Sequence, residues 1–125
     1  MTNRSGRKGS LFEAAQLPWW QRQWIDAHLL GKQGVQDKGD IWLPREVPFI
    51  VECKNEASYA GKLSTWCAEG AVEAEWAGKR AYVVNHKRHG KGDPQLQYIT
   101  MEGWSFMEII RFYESQARAY VALKG

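Results

Sequence analysis

The sequence predicts a mixed α/β domain in which helices cover a central sheet. Three observations carry this reading. Two short apolar runs, residues 40–43 and 49–54, flank Pro44-Arg45-Glu46-Val47-Pro48 and read as paired strands. Two longer segments, 62–78 and 104–123, place apolar residues at helical spacing. Strand-like runs at 80–86 and 95–101 lie between those helices, so the order is helix, strands, helix, strand, strand, helix. With 125 residues, 44% of them hydrophobic and 25% charged, the chain is one globular domain that can bury a core without staples.

Residues 1–9 carry Arg4, Arg7 and Lys8 without an apolar pattern and read as a flexible basic arm, leaving residues 10–125 as a single domain. Ser10-Leu11-Phe12-Glu13 spells a capping box, so the first helix is expected to start there and to end or kink near Leu17, before Pro18. Residues 19–30 have mixed periodicity, compatible with a second helical piece or with a strand over 24–30. Residues 31–39 form a polar, Gly-containing loop. In the segment 62–78, Leu63, Trp66, Cys67, Gly70, Ala74 and Ala77 make one face, and Gly78 is a plausible C-cap. Residues 86–93 are a basic, Gly-rich loop. In the closing helix, Trp104, Phe106, Met107, Ile109 and Ile110 are expected to pack in the core rather than to form a partner surface, while a chain with seven Trp can expose one or two of them at a dimer seam, with the stretch 19–24 as a candidate.

The strand pair holds the chemistry. A hairpin centred on Glu46 places residue 40 opposite 52 and residue 42 opposite 50. Side chains alternate faces along a strand. Ile41, Leu43, Phe49, Val51 and Cys53 then form a purely apolar face, expected in the core. Asp40, Trp42, Ile50, Glu52 and Lys54 share the other face, which gathers two carboxylates and an amine. Like charges directly opposed on paired strands destabilise them. A hard divalent cation removes that cost, since Mg²⁺ takes oxygen ligands and keeps several waters. A lysine beside it can orient water and offset charge on a phosphate as the ammonium, or deprotonate water as the neutral amine. The competing reading is a solvated salt-bridge face, because a chain of this composition contains roughly one acidic-x-Lys triplet by chance. What distinguishes this triplet is its place in an apolar strand, after Gly39-Asp40.

Several function classes are disfavoured. The net charge of +3, from 17 basic and 14 acidic residues, is only a weak lean towards nucleic acid. No apolar run is long enough for a membrane helix, and no basic start leads into a secretory h-region, so a cytoplasmic protein is expected. Cys53 and Cys67 lack zinc spacing and sit in apolar patterns. Gly90-Lys91-Gly92 lacks the length and the following helix of a phosphate loop.

The segments Arg7-Lys8-Gly9-Ser10-x-x-Glu13, Asp37-Lys38-Gly39-Asp40-Ile41 and Val51-Glu52-Cys53-Lys54-Asn55 together resemble the PD-(D/E)XK nuclease superfamily. The likeness is strongest to archaeal-type Holliday junction resolvases and their small phage-encoded relatives. The stretch 83–94 is similar to the phage members. This resemblance implies a restriction-endonuclease-like mixed central sheet flanked by helices, and a metal-dependent DNA endonuclease acting on four-way junctions as a homodimer. It implies one or two Mg²⁺ or Mn²⁺ ions held by Glu13, Asp40, Glu52 and the backbone carbonyl of Cys53, with Lys54 as the catalytic lysine. The setting would be a phage-infected or prokaryotic cytoplasm. The departure from the pattern is Gly39, where the superfamily name has Pro.

Three alternatives stay open in the sequence. Glu13 can serve as the fourth residue of the Ser10 capping box instead of as a ligand. Asp37 competes with Asp40, which lies nearer the strand and has the better register. The activity itself can be a less selective branched-DNA or nicking nuclease, or be absent from a nuclease fold that only binds DNA. Candidate phosphate contacts are Arg4, Arg7 and Lys8 in the arm, Lys87, Arg88 and Lys91 in the basic loop, and Lys38 and Lys62 close to the site.

Overall fold

The computed structural model describes residues 4–34 and 36–125, with side chains from Gly9 onward. The elements are α1 (Arg4–Gln21), β1 (His28–Leu29), β2 (Ile41–Trp42), β3 (Phe49–Lys54), α2 (Leu63–Ala77), β4 (Ala81–His86), β5 (Tyr98–Thr100) and α3 (Gly103–Lys124). The five strands form one mixed sheet in the order β1-β2-β3-β4-β5. β3 and β4 are parallel, and the other neighbours are antiparallel. A parallel pair needs a crossover, and α2 supplies it. Ile41 pairs with Val51, which puts residue 40 opposite 52 and 42 opposite 50, as the hairpin reading expects.

Both faces of β3 are covered. Ile41, Leu43, Phe49, Val51 and Cys53 are buried in a core with Phe12 and Trp20 of α1. Ile50 is buried on the opposite face with Trp66 and Cys67 of α2 and with Tyr82 and Val84 of β4. The second face of the hairpin is therefore a second core that runs into the carboxylates. α2 lies unusually close to the sheet, because a Cβ at Gly70 would stand 2.5 Å from the Tyr82 ring. Gly78 takes φ 70° and caps α2 with its amide on the Ala74 and Glu75 carbonyls, as expected.

The first helix departs from the sequence reading. It starts at Arg4, so residues 4–9 are helical turns rather than a flexible arm, and Ser10 is not its N-cap. Arg and Lys are good helix formers, and Gly6 and Gly9 alone do not break the run. Pro18 does not end the helix, which continues to Gln21. The last turn is held from outside by Trp20, which is buried and donates its indole N–H to Asn85 Oδ1 at 3.0 Å. Gln16 Nε2 donates to the same oxygen at 3.0 Å, so one side chain of β4 fastens two turns of α1. Residues 24–30 give only the two-residue β1.

The end of the chain also differs. Pro94 opens a 3₁₀ turn over Pro94–Leu96, capped by Asp93 accepting the Gln95 amide, and this shortens β5 to three residues. α3 docks by its first turn. Ser105 Oγ accepts the Tyr82 amide at 2.9 Å and donates to the Tyr82 carbonyl at 2.7 Å, satisfying β4 beyond the point where β5 ends. Tyr82 Oη donates to Glu102 Oε1 at 2.9 Å. Of the five apolar residues expected in the core, Ile109 packs against it, whereas Trp104, Phe106, Met107 and Ile110 are exposed. The anchoring is edge-on through Ser105, so the helix does not lay a broad face on the sheet. No helix among the described residues is long and apolar enough to cross a membrane.

Candidate active site

The site lies at the carboxyl end of the parallel β3–β4 pair, where open α/β sheets place ligands. It is built outward from Asp40. Gln33 and Asp37 shape the loop before it. Gln33 Nε2 donates to the Asp37 carboxylate at 3.0 Å and to the Gly39 carbonyl, while Asp37 Oδ1 accepts the Gly39 amide at 2.8 Å. Asp37 is thus used to hold the loop, and Asp40 is the residue delivered to the strand. The Asp40 amide donates to the Val51 carbonyl at 2.8 Å, and Asp40 Oδ2 accepts the Cys53 amide at 2.7 Å. Asp40 is thus fixed to the β3 backbone twice, once by its amide and once by its carboxylate.

Gly39 makes this approach possible. It has φ +104°, and a Cβ there would stand 2.9 Å from the Val51 carbonyl oxygen. Proline is excluded twice over, since its φ is locked near −65° and it lacks the amide that Asp37 accepts. Glycine at position 39 is therefore a conformational requirement of this loop.

Three further carboxyl groups meet Asp40. Glu52 is 4% exposed and within side-chain hydrogen-bonding reach of both Asp40 and Glu73. Burial first, and then these neighbours, push its pKa far above the carboxylate range. Glu13 projects from the middle of α1 towards Asp40. Burial, then the charge of Asp40 and a hydrogen bond to it, raise Glu13 to about 7. With α1 starting at Arg4, the capping role for Glu13 is removed, and it stands with the acidic group. Glu73 of α2, missed in the sequence, is raised to about 7, chiefly by burial. The sequence signal for it is weak: Glu73 falls on the helical stripe of Trp66, Gly70 and Ala77, but Val72-Glu73-Ala74-Glu75 also reads as a solvated helix surface.

Lys54 closes the group. Its Nζ is 2.7 Å from Glu69 Oε2 and 4.0 Å from Glu52 Oε2. Burial pulls the ammonium down, but the Glu69 hydrogen bond and the surrounding negative charges outweigh it and hold the pKa above the ordinary lysine value. Lys54 is thus a cation at neutral pH. Cys53 contributes its amide to Asp40 while burial pushes its thiol well up, so it is not a nucleophile. Both cysteines are free and buried.

Open clefts flank the group. One of about 510 Å³ is lined by Lys54, Asn55, Ser58 and Lys62. Another of about 460 Å³ is lined by Glu13, Lys32, Asp37 and Asp40. Lys62 sits at the first, ion-paired with Glu56. Lys38 is exposed on the loop beside Asp40. The 87–91 segment follows directly from the site end of β4, with the Lys87 amide on the Lys54 carbonyl at 3.0 Å. Lys87 Nζ donates to the Lys91 carbonyl, and Arg88 lies 5.5 Å from the Tyr98 ring centroid. Lys91 is exposed. The side chains of Arg4, Arg7 and Lys8 lie outside the described residues.

As the side chains stand, no three His, Cys, Asp or Glu among the described residues are grouped to hold a metal ion. The donor set nevertheless fits a hard divalent cation. It is all oxygen, it concentrates more negative charge than Lys54 offsets, and Glu73 Oε2 is buried with no hydrogen-bond partner. Such a cluster relieves its repulsion either by drawing protons or by binding a cation of this kind. The chain matches no protein-family model, no curated protein and no solved structure.

Proposed function

We propose that the protein is a metal-dependent DNA endonuclease that hydrolyses phosphodiester bonds, with four-way junctions as its substrate. The observation that carries this reading is the meeting of Glu13, Asp40 and Glu52 with the Lys54 ammonium at the carboxyl end of β3. A solvated salt-bridge face would not bury Glu52 to 4% exposure beside another acid.

Glu13, Asp40, Glu52 and the Cys53 carbonyl would hold one or two Mg²⁺ or Mn²⁺ ions. When bound, the metal supplies Lewis-acid polarisation of the phosphate and a more acidic water. The residues of the chain do the rest. Asp40 is fixed by its two backbone contacts, so the site needs little rearrangement around it. Lys54, kept protonated by its acidic neighbours, orients the attacking water and offsets charge building on the phosphate. It is not a base, because it carries no free lone pair at neutral pH. Lys38, Lys62, Lys87, Arg88 and Lys91 neutralise flanking phosphates, with Arg4, Arg7 and Lys8 in the same role from α1.

Cutting two strands of a junction suits two sites related by a two-fold axis, and we assign a homodimer on that ground. The exposed Phe106, Met107, Ile110 and Tyr113 of α3 supply apolar surface for the second copy. The setting is the cytoplasm of a prokaryotic or phage-infected cell.

The test compares a labelled immobile four-way junction with its matching linear duplex, alongside sedimentation of the protein at micromolar concentration. Paired symmetric cuts in the junction by a sedimenting dimer are expected. Equal cutting of both substrates would replace junction selectivity with a general branched-DNA or nicking nuclease. Binding without cutting would leave a DNA-binding protein, and a monomeric profile would remove the dimer.

A further inference from the structure

α2 presents two acids, one turn apart, towards the site. Glu69 takes Lys54, and Glu73 reaches Glu52. The two differ in what surrounds them. Glu69 is exposed and fully explained by its ion pair. Glu73 is 6% exposed, and its Oε2 is buried with no hydrogen-bond partner. An unpartnered buried carboxylate oxygen is costly, and a surface position for the same acid was one helical step away. The approach is also enforced by packing. Gly70, one turn before Glu73, lies so near Tyr82 that any side chain there would push α2 off the sheet.

We propose that Glu73 is a fourth carboxylate of the divalent-cation site, supplied by α2 from the face opposite Glu13. This rests on the metal-dependent reading above. Glu13 and Glu73 would then close on Asp40 and Glu52 from α1 and α2, with both helices anchored to the sheet behind the site: α1 through Asn85, α2 through the Gly70–Tyr82 contact. The buried oxygen that the protein leaves without a donor is the one a cation satisfies. Charge supports the assignment: a fourth acid beside Glu13, Asp40 and Glu52 raises affinity for a divalent ion over a monovalent one.

The test needs no DNA and no turnover. Mn²⁺ is titrated calorimetrically into the wild type, Glu73→Gln, Glu73→Asp and, as a control at an exposed acid of the same helix, Glu75→Gln, and thermal midpoints are recorded with Mn²⁺ and with EDTA. Wild type and Glu75→Gln are expected to bind Mn²⁺ alike and to be stabilised by it. Glu73→Gln is expected to bind about tenfold more weakly or worse and to lose most of the Mn²⁺-dependent shift. Its midpoint in EDTA should rise, since an unpartnered buried acid has been removed. If Glu73→Gln fails to fold, Glu73→Asp carries the comparison, with weakened Mn²⁺ binding expected from its shorter reach. Wild-type affinity in the Glu73 variants would overturn the assignment and leave the metal site standing on three acids. No Mn²⁺ binding by the wild type would remove the metal reading itself and this assignment with it.

Discussion

Gly39 lies against the Val51 carbonyl, the same oxygen that accepts the Asp40 amide at 2.8 Å. One backbone oxygen therefore both anchors the central acid and forbids a side chain at the residue before it. Gly39→Ala would force a Cβ to within 2.9 Å of that oxygen at a φ of +104°. We predict a loss of about 2–3 kcal/mol in urea unfolding. Gly39→Pro, which writes the superfamily spelling into this chain, is predicted to be worse than alanine. Equal or higher stability in the proline variant would contradict the loop geometry.

Asn85 joins α1 to the sheet. Its Oδ1 accepts both Gln16 Nε2 and Trp20 Nε1 at 3.0 Å, and the residue is fully buried. Asn85→Ala leaves the buried Trp20 indole N–H without its acceptor and Gln16 Nε2 with only the Pro94 carbonyl at 3.3 Å. A cost of about 2–4 kcal/mol is expected, together with faster amide exchange over the last turns of α1. A loss below 1 kcal/mol would mean that water or repacking replaces the bonds.

The acidic group sets a pH dependence. Glu13 sits at about 7 in the folded protein against an ordinary value of 4.5. Between those values the native state holds a proton that the unfolded chain releases, so this group's contribution to stability falls as pH rises. In EDTA, the thermal midpoint of Glu13→Gln should fall less steeply than that of the wild type from pH 4.5 to 7. His86, whose buried ring is held below its usual pKa, contributes the opposite slope in both proteins and cancels in the comparison. Parallel curves would show that Glu13 is not held above its ordinary pKa in the folded protein.

Much of this arrangement is legible in the sequence, for identifiable reasons. The hairpin register follows from the purely apolar face of Phe49, Val51 and Cys53 and from the Pro44–Pro48 turn, and Ile41 meets Val51 as that pattern requires. Gly78 marks the end of α2 because only a left-handed residue closes that helix. The start of α1 is illegible because Ser10-x-x-Glu13 spells a cap inside a continuing helix, and the buried polar Gln16 interrupts its apolar stripe. Pro18 misleads because tertiary bonds from Trp20 hold the turn that proline weakens. Glu73 is hidden by its neighbours, since Val-Glu-Ala-Glu looks like an ordinary solvated helix surface. Its burial depends on how closely Gly70 lets α2 approach Tyr82, a distance that no local pattern encodes.

The most direct test of the account is single-turnover cleavage of a labelled four-way junction by the wild type, Lys54→Ala and Asp40→Asn, each in Mg²⁺ and in EDTA. The account predicts cutting by the wild type in Mg²⁺, none in EDTA, and rates at least about a hundredfold lower in both variants with junction binding retained. Wild-type rates in either variant, or cleavage that survives EDTA, would contradict a metal-dependent nuclease centred on Asp40 and Lys54.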